Sequence, residues 1–306
     1  MLHLRVIAPA DLREPILNVL DREPGVTHIV VHADAAVEPV GDEITADVAR
    51  EAADDVVGRL KSLDVHHLGA ITMEVLDTVL SSAAYHAEDE AEGDGADAVI
   101  WDELVSRTRD ESSLSVTFLM FLCIACLLAA VGVVTDSAVT VVGAMVVGPE
   151  FGPLAALAVA LVQRRLFLAR RAAIALLVGF PLAMAVTGAA TLAFEALGWV
   201  TLTSTRQLNE VDFIFQVGPF SFVVALLAGA AGMLSLVSAK SAALVGVFIS
   251  VTTVPAAGFA VVAATVGDWD VAAKSALQLG VNLVGITLAG VLVLALYRRT
   301  RTARGG

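Results

Sequence analysis

From residue 114 to residue 297 the chain is a succession of apolar runs, at about 114–134, 138–162, 172–196, 219–238, 242–266 and 271–297. Each is near or above the length that crosses a bilayer as a helix. Such runs do not fit the core of an ordinary soluble domain, so the sequence predicts an all-α membrane domain of six spans. Composition agrees: 57% of the residues are hydrophobic and the mean hydropathy is +0.80, which excludes a disordered chain.

Charge divides the chain at residue 113. Residues 1–113 hold 8 Lys and Arg against 25 Asp and Glu, whereas residues 114–306 hold 11 against 7. All six histidines lie in the first part. An acidic, water-soluble half therefore precedes the apolar one, and with no basic stripe in either half a nucleic-acid partner is not expected. The opening residues, MLHLRVIAPADLRE, lack the basic start and long apolar core of a signal peptide, so the acidic half is expected to stay in the cytoplasm. The two cysteines, Cys123 and Cys126, lie one helical turn apart within an apolar run and read as small buried residues rather than half of a zinc site.

The soluble half alternates in a βαββαβ order. LHLRVIA is a strand, and Leu12, Ile16, Val19 and Leu20 share one helical face. Val26 to Ala33 and Glu43 to Val48 form two strands about a loop from Pro39 to Asp42. Arg50 to Leu63 forms a second helix, and His67 to Leu76 closes the set with Ile71, Met73 and Val75 alternating. Residues 1–76 are thus expected to be a ferredoxin-like α+β domain, with two helices on one face of a four-stranded antiparallel sheet. His3, His28, His32 and His66 or His67 are expected on the open face, where they are weak candidates for a metal or pH site; solvated side chains are the plainer reading. Nothing in the sequence specifies a cofactor.

Residues 77–98, centred on AEDEAEGDGAD, read as an acidic linker, and residues 99–112 as an interfacial helix anchored by Trp101 or a coupling helix packed on the soluble domain. The membrane domain takes 113–298 and a basic tail 299–306. Arg164, Arg165, Arg170 and Arg171 between the second and third spans, with Arg298, Arg299, Arg301 and Arg304 at the end, place both termini in the cytoplasm of an inner or plasma membrane.

GAMVVGPEFGP, Gly143 to Pro153, sets two prolines and three glycines in mid-span, which predicts a broken second helix. Glu150 lies between the prolines, where a carboxylate is costly unless it faces the protein interior. Two readings stand: a transport-pathway residue, or a structural Glu satisfied by backbone amides freed at the break. GVFISVTTVPAAG, Gly246 to Gly258, predicts a similar break in the fifth span. Pairing Ser137 with Ser241, Gly143 with Gly246, Pro153 with Pro255 and Gly179 with Gly285 gives offsets of 104, 103, 102 and 106. A duplication of three spans would invert the second copy, so two inverted three-helix repeats are expected.

TDSAVTVVGAMVVGPEFGPLAALAVAL resembles the signature of a prokaryotic family of hydrophobic membrane proteins known as domain of unknown function 389. Ser137, Gly143, Ala144, Met145, Pro149, Gly152 and Pro153 match its pattern, and Pro255, Asn282 and Gly290 lie in segments similar to its second half. The sequence departs from that pattern at Glu150, where an apolar residue is frequent, and at Val254-Pro255-Ala256, where a double proline is common. The resemblance spans residues 99–297 and implies architecture rather than activity.

These readings favour a transporter or channel for a small solute or ion, coupled to protons or cations through Glu150 and regulated by a small cytoplasmic ligand. Pro149, Met145, Gly152, Thr252, Thr253, Pro255, Gln278 and Asn282 join Glu150 as expected site residues. The alternative is a membrane-embedded sensor or scaffold that moves nothing. An enzyme is not expected, because no nucleophile–base set or phosphate loop is visible. The small residues Gly229, Ala230 and Gly232 allow close helix packing, within one subunit or in a homo-oligomer.

Overall fold

A computed structural model describes residues 1–91, 93, 98–198, 219–238 and 245–304. The chain forms two compact units, Met1–Glu103 and Leu104–Gly306.

The first unit runs β1 (Leu2–Ala8), a 3-10 turn, α1 (Arg13–Asp21), β2 (Val26–Val37), β3 (Val40–Val48), α2 (Arg50–Ser62), α3 (Val65–Leu68) and β4 (Ala70–Val75). Its four strands are antiparallel in the order β2-β3-β1-β4. Alternation puts Leu2, Leu4, Val6 and Ala8 on the inner face beside Ile44, Ala46 and Val48, where Ile16 and Leu20 of α1 and Ala53, Val56 and Leu60 of α2 close the core. Each fully buried Val, Leu or Ile side chain among them contributes about 1.5–3 kcal/mol. Pro15 is tolerated in the first turn of α1 because an N–H there would have no helical partner.

Three expectations change here. The third strand starts at Val40 rather than Glu43, because Asp42 is an inward-facing strand residue and not part of a turn. Its carboxylate accepts bonds from Arg13 Nε at 2.6 Å and Nη2 at 2.9 Å and from the Asp34 N–H at 2.8 Å, so its burial is compensated. His66 and His67 belong to α3 rather than to the last strand, because Asp64 turns left-handed (φ 63°) and delays β4 until Ala70. Within the stretch expected to be a linker lies a helix, α4 (Ser82–Glu90), capped by Ser81 and burying Ala84 and Ala87; it packs on β2.

α5 (Trp101–Glu111) begins in the first unit, where Asp54 accepts from the Trp101 N–H at 3.0 Å, and ends in the second. The second unit continues with α6 (Val116–Val134), α7 (Ala138–Val147), α8 (Phe151–Gln163), α9 (Leu166–Ala196), α10 (Pro219–Val237), α11 (Val245–Thr265) and α12 (Trp269–Arg304). Among the described residues four helices are long and apolar enough to cross a membrane, or five where α7 and α8, bent by 52° at the break between them, count together as one span. Phe167, Leu177, Phe220 and Leu292 stand exposed on their outer faces, as lipid-facing side chains would. These features are those of a multi-pass membrane protein. α11 packs against α6, α7, α8, α9, α10 and α12, and every residue from Thr253 to Ala263 is buried, so it forms the centre of the bundle.

The expected break in the fifth span is overturned: α11 is continuous through Pro255. One proline removes one N–H and leaves one carbonyl without a partner, a loss a packed helix absorbs, as α9 also does at Pro181. The second span carries two prolines with a glycine before each, and there the helix parts.

Candidate functional site

The break in the second span follows from its sequence. Pro149 disfavours a helical conformation at the residue before it, and Gly148 is accordingly extended (ψ 127°) and ends α7. Pro153 falls in the first turn of α8, where no N–H is required. Gly152 between them has no room for a side chain, since a Cβ would lie 2.7 Å from that of Glu111 and 2.9 Å from its carbonyl oxygen.

Glu150 is thereby placed at the N-cap of α8, fully buried, but its carboxylate does not cap the helix. It points instead to the central helix, where Thr253 Oγ1 donates to Glu150 Oε1 at 2.5 Å. Thr253 is also fully buried. Met145, on the last turns of α7, packs among Val133, Val141, Phe259 and Val262. Pro149 occupies the break and Pro255 the middle of α11. The side chain of Thr252 lies outside the described residues.

α12 packs against both α8 and α11 and carries a polar group of its own. Gln278 Nε2 donates to Asn282 Oδ1 at 3.0 Å, and both side chains are buried. Ser275, one turn earlier and fully buried, joins them on the same face. Ser275 Oγ and Gln278 Oε1 have no hydrogen-bond partner among the described residues. Ser275 was not among the residues expected from the sequence, although its i, i+3, i+7 spacing with Gln278 and Asn282 was a signal for it.

On the open face of the sheet, Asp47 gathers two histidines. His3 Nδ1 lies 2.8 Å from Asp47 Oδ1 and His28 Nδ1 lies 2.7 Å from Asp47 Oδ2. His28 Nε2 is 2.8 Å from Ser81 Oγ, the cap of α4. Burial raises the Asp47 carboxyl, but the hydrogen bonds from His3 and His28 together outweigh it and hold the group below its ordinary value. His32 is exposed and paired in register with Glu43, and His66 stands on α3.

The family model described as "Domain of unknown function (DUF389)" matches residues 145–288, from Met145 on α7 to Leu288 on α12. Over these residues, a little under half of the chain, the sequence is similar to the DUF389 family. The match is narrower than the 99–297 implied by the motifs, yet the DUF389 segment contains Glu150, the break, the whole of α11 and the polar face of α12. The DUF389 description assigns no activity. No curated protein and no solved structure matches the chain.

Proposed function

We propose that the helical unit moves a small solute or ion across a cell membrane past Glu150, and that it is a transporter or channel rather than an enzyme. One observation carries this reading: a carboxylate buried at a helix break in an apolar bundle, held by a hydroxyl from the central helix. A mid-membrane carboxylate is expensive, and such groups characteristically mark ion and proton pathways. The oxygens of Ser275 and Gln278 add acceptors for a cation or a polar solute within the same bundle.

The reading takes six spans, α6, α7 with α8, α9, α10, α11 and α12, in two inverted repeats. Packing partners support the repeat: α6 meets α9 as α10 meets α12, α8 meets α9 as α11 meets α12, and α8 meets α12 as α11 meets α9. Glu150 and Thr253 are 103 residues apart, within the 102–106 range of offsets that pairs the two halves in sequence, and a contact between repeat-related positions supports a two-fold axis near them. The reading also takes both termini to be cytoplasmic. In support, Arg298 donates to the Val162 carbonyl at 3.0 Å, which brings the basic end of α12 to the end of α8 beside Arg164. The strand order β2-β3-β1-β4 supports a ferredoxin-like fold for the first unit, which the reading takes to be a ligand sensor.

The test is flux of protons and of alkali cations in proteoliposomes holding the full chain. Wild type should show pH-dependent flux, and Glu150→Gln should fold normally while losing the pH dependence. A Gln variant with wild-type flux and an unchanged pH profile would make Glu150 a structural plug.

A further inference from the structure

We propose that Asp64, His66 and His67 form a binding site for a divalent transition-metal ion on the first unit. Among the described residues these three form the one set of His, Cys, Asp or Glu side chains close enough to share an ion, with one ligand atom from each within 4.8 Å of the others.

The local backbone explains why they converge. Asp64 occupies the N-cap of α3 in the left-handed region (φ 63°), an uncommon conformation for a residue with a side chain and one that Asp tolerates better than most. Asp is a preferred N-cap because its carboxylate accepts a backbone N–H. Here it makes no capping bond; the Asp64 carbonyl closes the turn instead, accepting from the His67 N–H at 3.0 Å and the Leu68 N–H at 3.2 Å. The carboxylate is left to face the imidazoles. The rings of His66 and His67 approach to 4.0 Å between centroids, tilted by 38°, so both present their nitrogens to the same neighbourhood.

None of the three side chains makes a hydrogen bond or ion pair with another described residue, and all three are exposed. His28 differs, because its Nδ1 is engaged by Asp47 and its Nε2 by Ser81. Ligand atoms around one tetrahedral ion at metal–ligand distances of about 2.0–2.1 Å are separated by about 3.3 Å, so modest side-chain rotations would close the set. Two imidazoles and one carboxylate suit Zn2+, Ni2+ or Cu2+ rather than Mg2+ or Ca2+, whose preferred ligands are all oxygen. With three protein ligands on an exposed turn, the remaining position falls to water, which makes the site exchangeable. The ligands lie on the turn between α2 and β4, so an ion held there would fix the conformation of that turn.

The site stands independently of the transport reading. The test is calorimetric titration of Zn2+ into the full chain, purified in detergent without a histidine tag, together with the visible absorption of Co2+ added in its place. One ion per chain is expected. His66→Ala and His67→Ala should each weaken binding about tenfold or more and diminish the Co2+ bands, whereas His3→Ala should leave both unchanged. Saturable binding that survives intact in the double variant His66→Ala/His67→Ala, or no saturable binding by the parent, would overturn the proposal.

Discussion

Thr253 donates its hydroxyl proton to Glu150 across 2.5 Å and so ties the break between α7 and α8 to the helix at the centre of the bundle. Neither residue has any exposure. In such a place a polar group keeps its partner or carries the whole cost of desolvation. The pair is therefore both a structural tie and, in the transport reading, the place where an incoming proton, cation or hydroxyl would compete for the same oxygen.

Thr253→Val preserves the shape of the side chain and removes the donor. It should destabilise the protein by about 1–3 kcal/mol, because an oxygen of Glu150 loses that partner. Thr253→Ser should restore most of the loss. Thermal unfolding in detergent measures both, and equal melting temperatures for all three proteins would show that the bond carries no stability.

Close approach of α6 and α11 supplies a second expectation. A Cβ on Gly258 would lie 2.6 Å from the Cβ of Ala129 and 3.1 Å from the backbone nitrogen of Ala130. Gly258→Val must push the two helices apart, at about 1–3 kcal/mol or more. Gly143 faces open space, and Gly143→Ala should be neutral or stabilising by up to about 1 kcal/mol, since Ala is the better helix former. The same unfolding experiment compares the two variants, and equal tolerance would mean that helix separation there is soft.

What the sequence made legible, and what it did not, follows from how local each cause is. The break at Pro149 was legible because two prolines and their neighbouring glycines act on the backbone within six residues. The continuity of α11 was not, because whether one proline breaks a helix depends on what surrounds it, and α11 is enclosed by six neighbouring helices among the described residues. The contact between Thr253 and Glu150 was not, because no local pattern shows that two residues 103 positions apart touch. Asp42 looked like a turn residue because its partner, Arg13, lies 29 residues away in sequence. α4 was hidden by its acidic composition, although Ser81 stood in place to cap it.

The Asp42–Arg13 pair makes the stability of the first unit depend on pH. The side-chain hydrogen bond from Arg13 and then the Asp34 N–H hold the Asp42 carboxyl below its ordinary value. A carboxyl depressed in the folded state is stabilising above its unfolded value, and that contribution is lost as pH falls through the folded value. Calorimetric unfolding of the full chain from neutral to acid pH should show a transition that weakens in the acid range. Asp42→Asn should be less stable at neutral pH and lose part of the dependence, and an unchanged profile in that variant would assign the acid sensitivity to other carboxyls.

Topology gives the last prediction. α8 and α12 end at the same side of the bundle, where Arg298 reaches the Val162 carbonyl, and the adjoining segments carry Arg164, Arg165, Arg170, Arg171 and Arg299. Basic clusters of this kind are characteristically retained on the cytoplasmic side, so an even number of spans should separate them. Residues 199–218 lie outside the described residues, but they connect α9 to α10 and should therefore face the opposite side of the membrane. With Cys123 and Cys126 first replaced by Ala, a cysteine at Asn209 should react with an impermeant maleimide applied to intact cells. A cysteine at Ala303 should react only after the membrane is opened. Protection at Asn209 with labelling at Ala303 would invert the orientation, and labelling of both from outside would show that the number of spans between them is not the three assigned by α10, α11 and α12.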